Sequence, residues 1–152
     1  MKTIALFFIL TIAVLGQYKL AISPGVKIGL AFGEEAQFIY GYELSFVVYN
    51  LFPTENRRYG VVLDYDRIGE VKRLHIGFEY MYRSFGVDIG PSFAWKKSKF
   101  HYGFSIIPFG GTYILPYINY THIKGIDDHF DTGTYIKIPF PLTHTPFENW
   151  LE

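Results

Sequence analysis

The chain contains no cysteine, which excludes a disulfide framework and any thiolate metal site. Neither sign of charge is in excess: the 14 basic and 14 acidic residues cancel, so no one-signed field draws in nucleic acid or an anionic membrane surface. Nucleic acid is therefore set aside as a partner. Beyond Leu15 there is no long apolar run, no helical period of useful length, no low-complexity tract and no linker. A chain of 152 residues without these features is one domain's worth. At 49% hydrophobic and 20% aromatic residues it is also far from the composition of a disordered chain.

The N-terminus carries its own pattern. Met1-Lys2, an uncharged apolar stretch from Thr3 to Leu15, and Gly16 form the basic, hydrophobic and small-residue parts of a secretory signal peptide. The stretch falls short of the ~20 apolar residues that span a bilayer, so a permanent anchor is the lesser reading. We place the signal at residues 1–16, with a later cut near Ala21 as the alternative, and a single domain at 17–152. Gln17 stands where a lipoprotein signal needs a lipidated Cys, so acyl anchoring is not expected.

From there on the sequence alternates. Strands are expected near 26–32, 36–50, 58–66, 73–82, 85–95, 99–109, 112–122 and 132–142, separated by turn chemistry such as Arg83-Ser84 and Gly110-Gly111. Short links between successive strands imply an antiparallel meander. The segments KIGLAF, RYGVVLDY, HIGFEYMY, DIGPSFAW, HYGFSI and DTGTYIKI repeat one pattern: polar, any residue, Gly, two residues, apolar. The glycine always lies on the polar side, and repeated glycine on one strand face points to a concave, cramped interior. A small closed barrel has such an interior.

Which face is inside follows from what the polar face holds. Gly41, Glu43, Ser45, Gly60, Asp64, Gly77, Glu79, Gly90 and Ser92 are not the Lys- and Glu-rich mixture of a solvated surface, and most lysines sit in turns or at strand ends, with Lys137 the main exception. The opposite face is bulky and apolar, with Tyr40, Tyr42, Tyr59, Tyr65, Tyr82, Trp95, Tyr102 and Tyr120 directed outward and several of them near strand ends. A wide apolar belt with interfacial aromatics outside, and small and polar residues inside, is the arrangement of a transmembrane barrel. The alternative is a soluble periplasmic ligand-binding barrel whose greasy face turns inward around an apolar cargo.

With its signal peptide, its eight dyad-patterned strands and its final strand Asp131-Thr132-Gly133-Thr134-Tyr135-Ile136-Lys137-Ile138, the chain resembles the small eight-stranded outer-membrane β-barrels of the OmpA and OmpX type. The final strand looks like the assembly signal of such barrels, although the chain runs on through Pro139 to Glu152. The resemblance implies an all-β, up-and-down barrel exported to a bacterial outer membrane, with both ends in the periplasm. Its partners would then be the outer-membrane lipid and the barrel-assembly machinery.

Eight strands leave a lumen that side chains fill, so an open, porin-like channel is not the default. Glu43, Asp64, His75, Glu79, Asp88, His101 and Lys137 are expected to point inward, with Arg83 at the mouth. With Arg83-Ser84 as a two-residue turn, Glu79 faces Asp88 directly, and such carboxylates repel unless a cation or a shared proton intervenes. The leading reading of these groups is a structural polar plug paired through Lys137 or a histidine; the sharper one is a proton or small-ion path. Outside, the link at 123–131 alone has room for recognition, through Asp127, Asp128, His129 and Phe130.

Some small outer-membrane barrels are lipid-modifying enzymes that use Ser and His. Here Ser105 near His101 and Ser92 opposite His75 are weak candidates, because alternating strands bring such residues together by chance. No catalytic residue is assigned, and the expectation is a non-enzymatic barrel with a structural or envelope-interaction role. No cofactor and no metal is expected: the histidines lie on separate strands, no zinc spacing occurs, and IDDHFD reads as a solvated loop.

Overall fold

The computed structural model describes residues 19–33, 35–49, 57–126 and 128–142; the expected signal peptide, Asp127 and the chain beyond 142 lie outside the described residues. Eight long antiparallel strands close into a barrel: β1 Lys19–Phe32, β2 Gln37–Tyr49, β3 Arg57–Ile68, β4 Val71–Tyr82, β5 Phe85–Lys96, β6 Lys99–Gly110, β7 Ile114–Ile123 and β8 His129–Lys137. Each pairs with its neighbour in sequence, and β8 returns to pair with β1. The described residues contain no helix.

The expected meander is present, and the differences lie at its ends. Strand β1 begins seven positions before the expected 26, at Lys19, with Leu20, Ala21 and Ile22 opposite Val48, Val47 and Phe46. Pro24 and Gly25 look like a break, yet Pro24 is tolerated. Its carbonyl accepts from Ile138 N at 3.1 Å, so its missing N–H falls beyond the end of the β8 ladder, where a strand accommodates proline. The expected strand 132–142 is two pieces. It starts earlier, at His129, and ends at Lys137; after Pro139 a two-residue strand β9, Phe140–Pro141, pairs with Ala21 and Ile22 of β1.

The turns are tight. Arg83 and Ser84 make the two-residue link between β4 and β5, with Arg83 at φ 55°, and Lys97-Ser98 link β5 to β6, also in left-handed conformations at φ 49° and 64°. Two-residue hairpins favour such mirror-image turns because they match the twist of the strands.

The apolar face is outside. Along β4, Ile76, Phe78 and Tyr82 are exposed while His75, Glu79 and Met81 are buried; on β6, Phe100, Tyr102, Phe104 and Ile106 are exposed while Ser105, Ile107 and Phe109 are buried. Aromatics gather toward both rims. Trp95, Phe100, Tyr102 and Tyr120 lie toward the end with the short links, and Tyr59, Tyr80 and Tyr82 toward the end holding both termini of the barrel, with Val61, Ile76, Ile89, Ile118 and Ile136 between. Inside, apolar residues close both ends of the lumen: Ala31, Ile39 and Ile68, with Val71, Ala94 and Ile123, at the link end, and Met81, Ile107, Phe109 and Leu115 toward the other. The middle is polar.

Candidate functional site in the barrel interior

Alternation sends one residue in two inward, and on these strands the inward residues carry charge. Lys27 on β1 is fully buried and donates to Asp64 and Asp66 of β3, each at 2.7 Å. Arg73 on β4 forks onto Asp66, with Nη2 to Oδ2 at 2.6 Å and Nε to Oδ1 at 3.0 Å, reaches Asp131 of β8 at 2.9 Å and donates to the Thr121 hydroxyl at 3.0 Å. Asn119 donates to Asp131 and the Tyr135 hydroxyl to Asp64, both at 3.0 Å. A hydroxyl chain runs on from Thr121 through Ser105 and Ser92 to His75 Nδ1, with steps of 2.7, 2.5 and 3.1 Å.

A second cluster lies nearer the termini. Lys137 on β8 pairs with Glu43 of β2 and, at 3.0 Å, with Glu79 of β4. The Ser45 hydroxyl donates to Glu43 at 2.9 Å and can bridge to Glu79 at 3.1 Å. Gly25 makes this reach possible: it stands between Lys137 and Glu43 in the sheet, and a Cβ there would lie 2.8 Å from the Lys137 Cγ. Lys137 thus crosses a whole strand to its partner. Glu79 and Asp88 are directly paired across the β4–β5 hairpin, as the two-residue turn requires, and both are buried.

Six of the eight expected lumen residues are therefore inside: Glu43, Asp64, His75, Glu79, Asp88 and Lys137. Arg83 is not. It is an exposed turn residue at φ 55°, and its guanidinium lies over the Tyr82 ring at 5.4 Å. His101 is on the inward side but at the rim, where Nδ1 meets the Lys124 carbonyl at 3.1 Å, away from the buried network. Sequence reasoning missed Lys27, Asp66 and Arg73, and placed Asp131 in a solvated loop; Asp131 is instead a β8 residue with no exposure. Asp66 and Arg73 stand at the limits of the expected strands 58–66 and 73–82, in phase with Asp64 and His75, so strict alternation already turns both of them inward.

No family model, curated protein or solved structure matches this chain. The chemistry has to be read from the site alone. Ser92 and His75 form a hydrogen-bonded pair at 3.1 Å, and both are fully buried. At the link end, the expected recognition loop shrinks to residues 124–128, because β8 already begins at His129. Phe130 sits on that strand facing outward, opposite Tyr120 and Phe32. Asp128 is tied back to β7, accepting from the Tyr120 hydroxyl at 2.7 Å and contacting His122 Nδ1 at 2.6 Å.

Proposed function

We propose that the chain is an exported outer-membrane barrel of the small eight-stranded type, non-enzymatic, with a structural or envelope-interaction role. The observation that carries this reading is the pairing of an apolar exterior with a charged interior. Val26, Ile28, Leu30 and Phe32 on β1 and Phe38, Tyr40, Tyr42 and Phe46 on β2 are all exposed, and the pattern continues around the barrel. Such a belt is far more extended than the few hundred Å² of contiguous apolar surface that water-soluble monomers expose. In hydrocarbon it is the favourable arrangement, since a barrel satisfies every backbone group between strands. Strands of 9 to 14 residues are long enough to supply the 9 to 11 that a tilted transmembrane strand needs. The aromatic rims fit the two interfaces, and the lumen plug accounts for the buried charges without a channel.

The soluble cargo-carrying alternative needs the apolar face inside; here Lys27, Arg73, Asp64, Asp66 and Asp131 hold that space. Expression with the native N-terminus, followed by fractionation and by gel migration in detergent with and without boiling, tests the proposal. The chain should appear in the outer-membrane fraction and migrate faster unboiled. Recovery in the soluble periplasmic fraction with one mobility would overturn it.

A further inference from the structure

The three carboxylates at the end nearer the termini have less cationic charge beside them than their neighbours, where Lys27 and Arg73 together meet Asp64, Asp66 and Asp131. An oxygen from each of Glu43, Glu79 and Asp88 lies within 4.8 Å of the others, and all three residues are buried. One ammonium, that of Lys137, serves them, and it engages Glu43 Oε1 and Glu79 Oε2. Asp88 is 1% exposed, yet neither of its oxygens has a hydrogen-bond partner among the described residues, and Oε2 of Glu43 has none either. An acidic cluster alone means little; a fully buried carboxylate aimed into it with both oxygens unused marks a missing partner.

A shared proton between Glu79 and Asp88 would satisfy one oxygen of each. It would leave the second Asp88 oxygen and Glu43 Oε2 unpaired, and one carboxylate in excess of Lys137. A divalent cation meets all three residues and cancels the two remaining charges. The spacing suits calcium, whose oxygen ligands lie about 2.3 to 2.6 Å from the ion, so that oxygens on opposite sides are separated by about 4.8 Å. The cluster is reached through Glu79, which with Lys137, Arg58, Met81 and Tyr113 lines a cavity of about 50 Å³ at the mouth nearer the termini. That is room for about three waters to complete the coordination shell.

We propose that Glu43, Glu79 and Asp88 bind a calcium-sized divalent cation inside the barrel, entering from the mouth nearer the termini, with Lys137 as the fixed counter-charge beside it. The inference concerns the lumen and stands apart from whether the exterior meets lipid.

The test is thermal unfolding of the full chain, folded into detergent micelles and stripped with chelator, against added calcium chloride, magnesium chloride, or sodium chloride at matched ionic strength. Calcium at tenfold the half-saturating concentration should raise the midpoint by about 3 to 6 °C, with magnesium weaker and sodium without effect. Asp88→Asn should abolish the calcium response while leaving the metal-free midpoint unchanged or higher. Should that variant fail to fold, Glu79→Gln with the same titration decides the matter. Equal midpoints with and without calcium, an equal response to sodium, or a full calcium response in the folded variant would each overturn the proposal. So would stability that rises only with falling pH in the wild type and not in Asp88→Asn, which would place a shared proton in the site.

Discussion

The two halves of the lumen are built from the same residue types and solve the burial of charge differently. Toward the link end, Lys27 and Arg73 meet Asp64, Asp66 and Asp131, Asn119 donates to Asp131 and the Tyr135 hydroxyl to Asp64, while one oxygen each of Asp64 and Asp131 stays without a hydrogen bond. Toward the termini, Lys137 is the one ammonium among the described residues that pairs with Glu43 and Glu79, and Asp88 lies beside them with neither oxygen bonded. In the first half each of the three carboxylates meets a cation, and a forked guanidinium locks strands on opposite walls together. The second keeps carboxylate capacity in reserve beside a small cavity. A buried ion pair adds little net stability, whereas removal of one member leaves an uncompensated charge, so the halves should respond to substitution very differently.

The largest effect is expected at the doubly charged link-end half. Arg73→Met strands Asp66 and Asp131 at once and should cost roughly 3 to 5 kcal/mol in urea unfolding of the micelle-folded barrel. Lys137→Met should cost less, about 3 kcal/mol, because waters at the nearby mouth can solvate Glu79. Adding Glu79→Gln should recover part of that loss, and simple additivity of the two changes would show that Lys137 and Glu79 are not coupled. Were Arg73→Met no costlier than Lys137→Met, the contrast between the halves would be gone. Gly90→Val probes the shared wall: a Cβ there meets the Ile76 carbonyl oxygen and lies 2.8 Å from the Gly77 Cα, so a loss of about 1 to 3 kcal/mol is expected from overpacking against backbone. The smallest effect belongs to the rim. Asp128→Asn should change stability by less than about 0.5 kcal/mol, since its contacts with the Tyr120 hydroxyl and His122 are exposed. A larger change would mean that the 124–128 link is structural.

The facing of the strands was legible because strict alternation admits only two assignments, and the polar face of His75, Gly77 and Glu79 is too small and too poor in lysine to be a solvated surface. The Glu79 and Asp88 pairing was legible because a two-residue turn fixes its register. What stayed hidden has two physical origins. Lys27, Asp66 and Arg73 stand at or beside the limits of the expected strands, where charged residues read as solvated strand ends, and Pro24-Gly25 disguised seven residues of β1 as a break. Contacts across the lumen, such as Arg73 of β4 to Asp131 of β8, depend on curvature and strand stagger, which pairwise alternation does not encode. The cationic partner of the Asp64 and Asp66 carboxylates was therefore invisible, while Glu43, Glu79 and Lys137 could be grouped from facing alone.

The seam between the first and last strands has a kinetic meaning. The ladders from β1–β2 to β7–β8 join neighbours in sequence, while the pairing of Gly25 with Lys137 closes a loop that contains most of the chain. Loop closure of that length costs entropy before any contact rewards it, so hairpins zip early and the ring shuts last. Lys137, reaching over the side-chain-free Gly25 to Glu43, then acts as a clasp that engages only when the ring is complete. Pulse-labelled hydrogen exchange during refolding should find the amides of residues 25–32 and 130–137 at the β1–β8 ladder protected after those of the β4–β5 hairpin. Loss of the clasp should speed opening of the ring more than it slows the zipping of the hairpins.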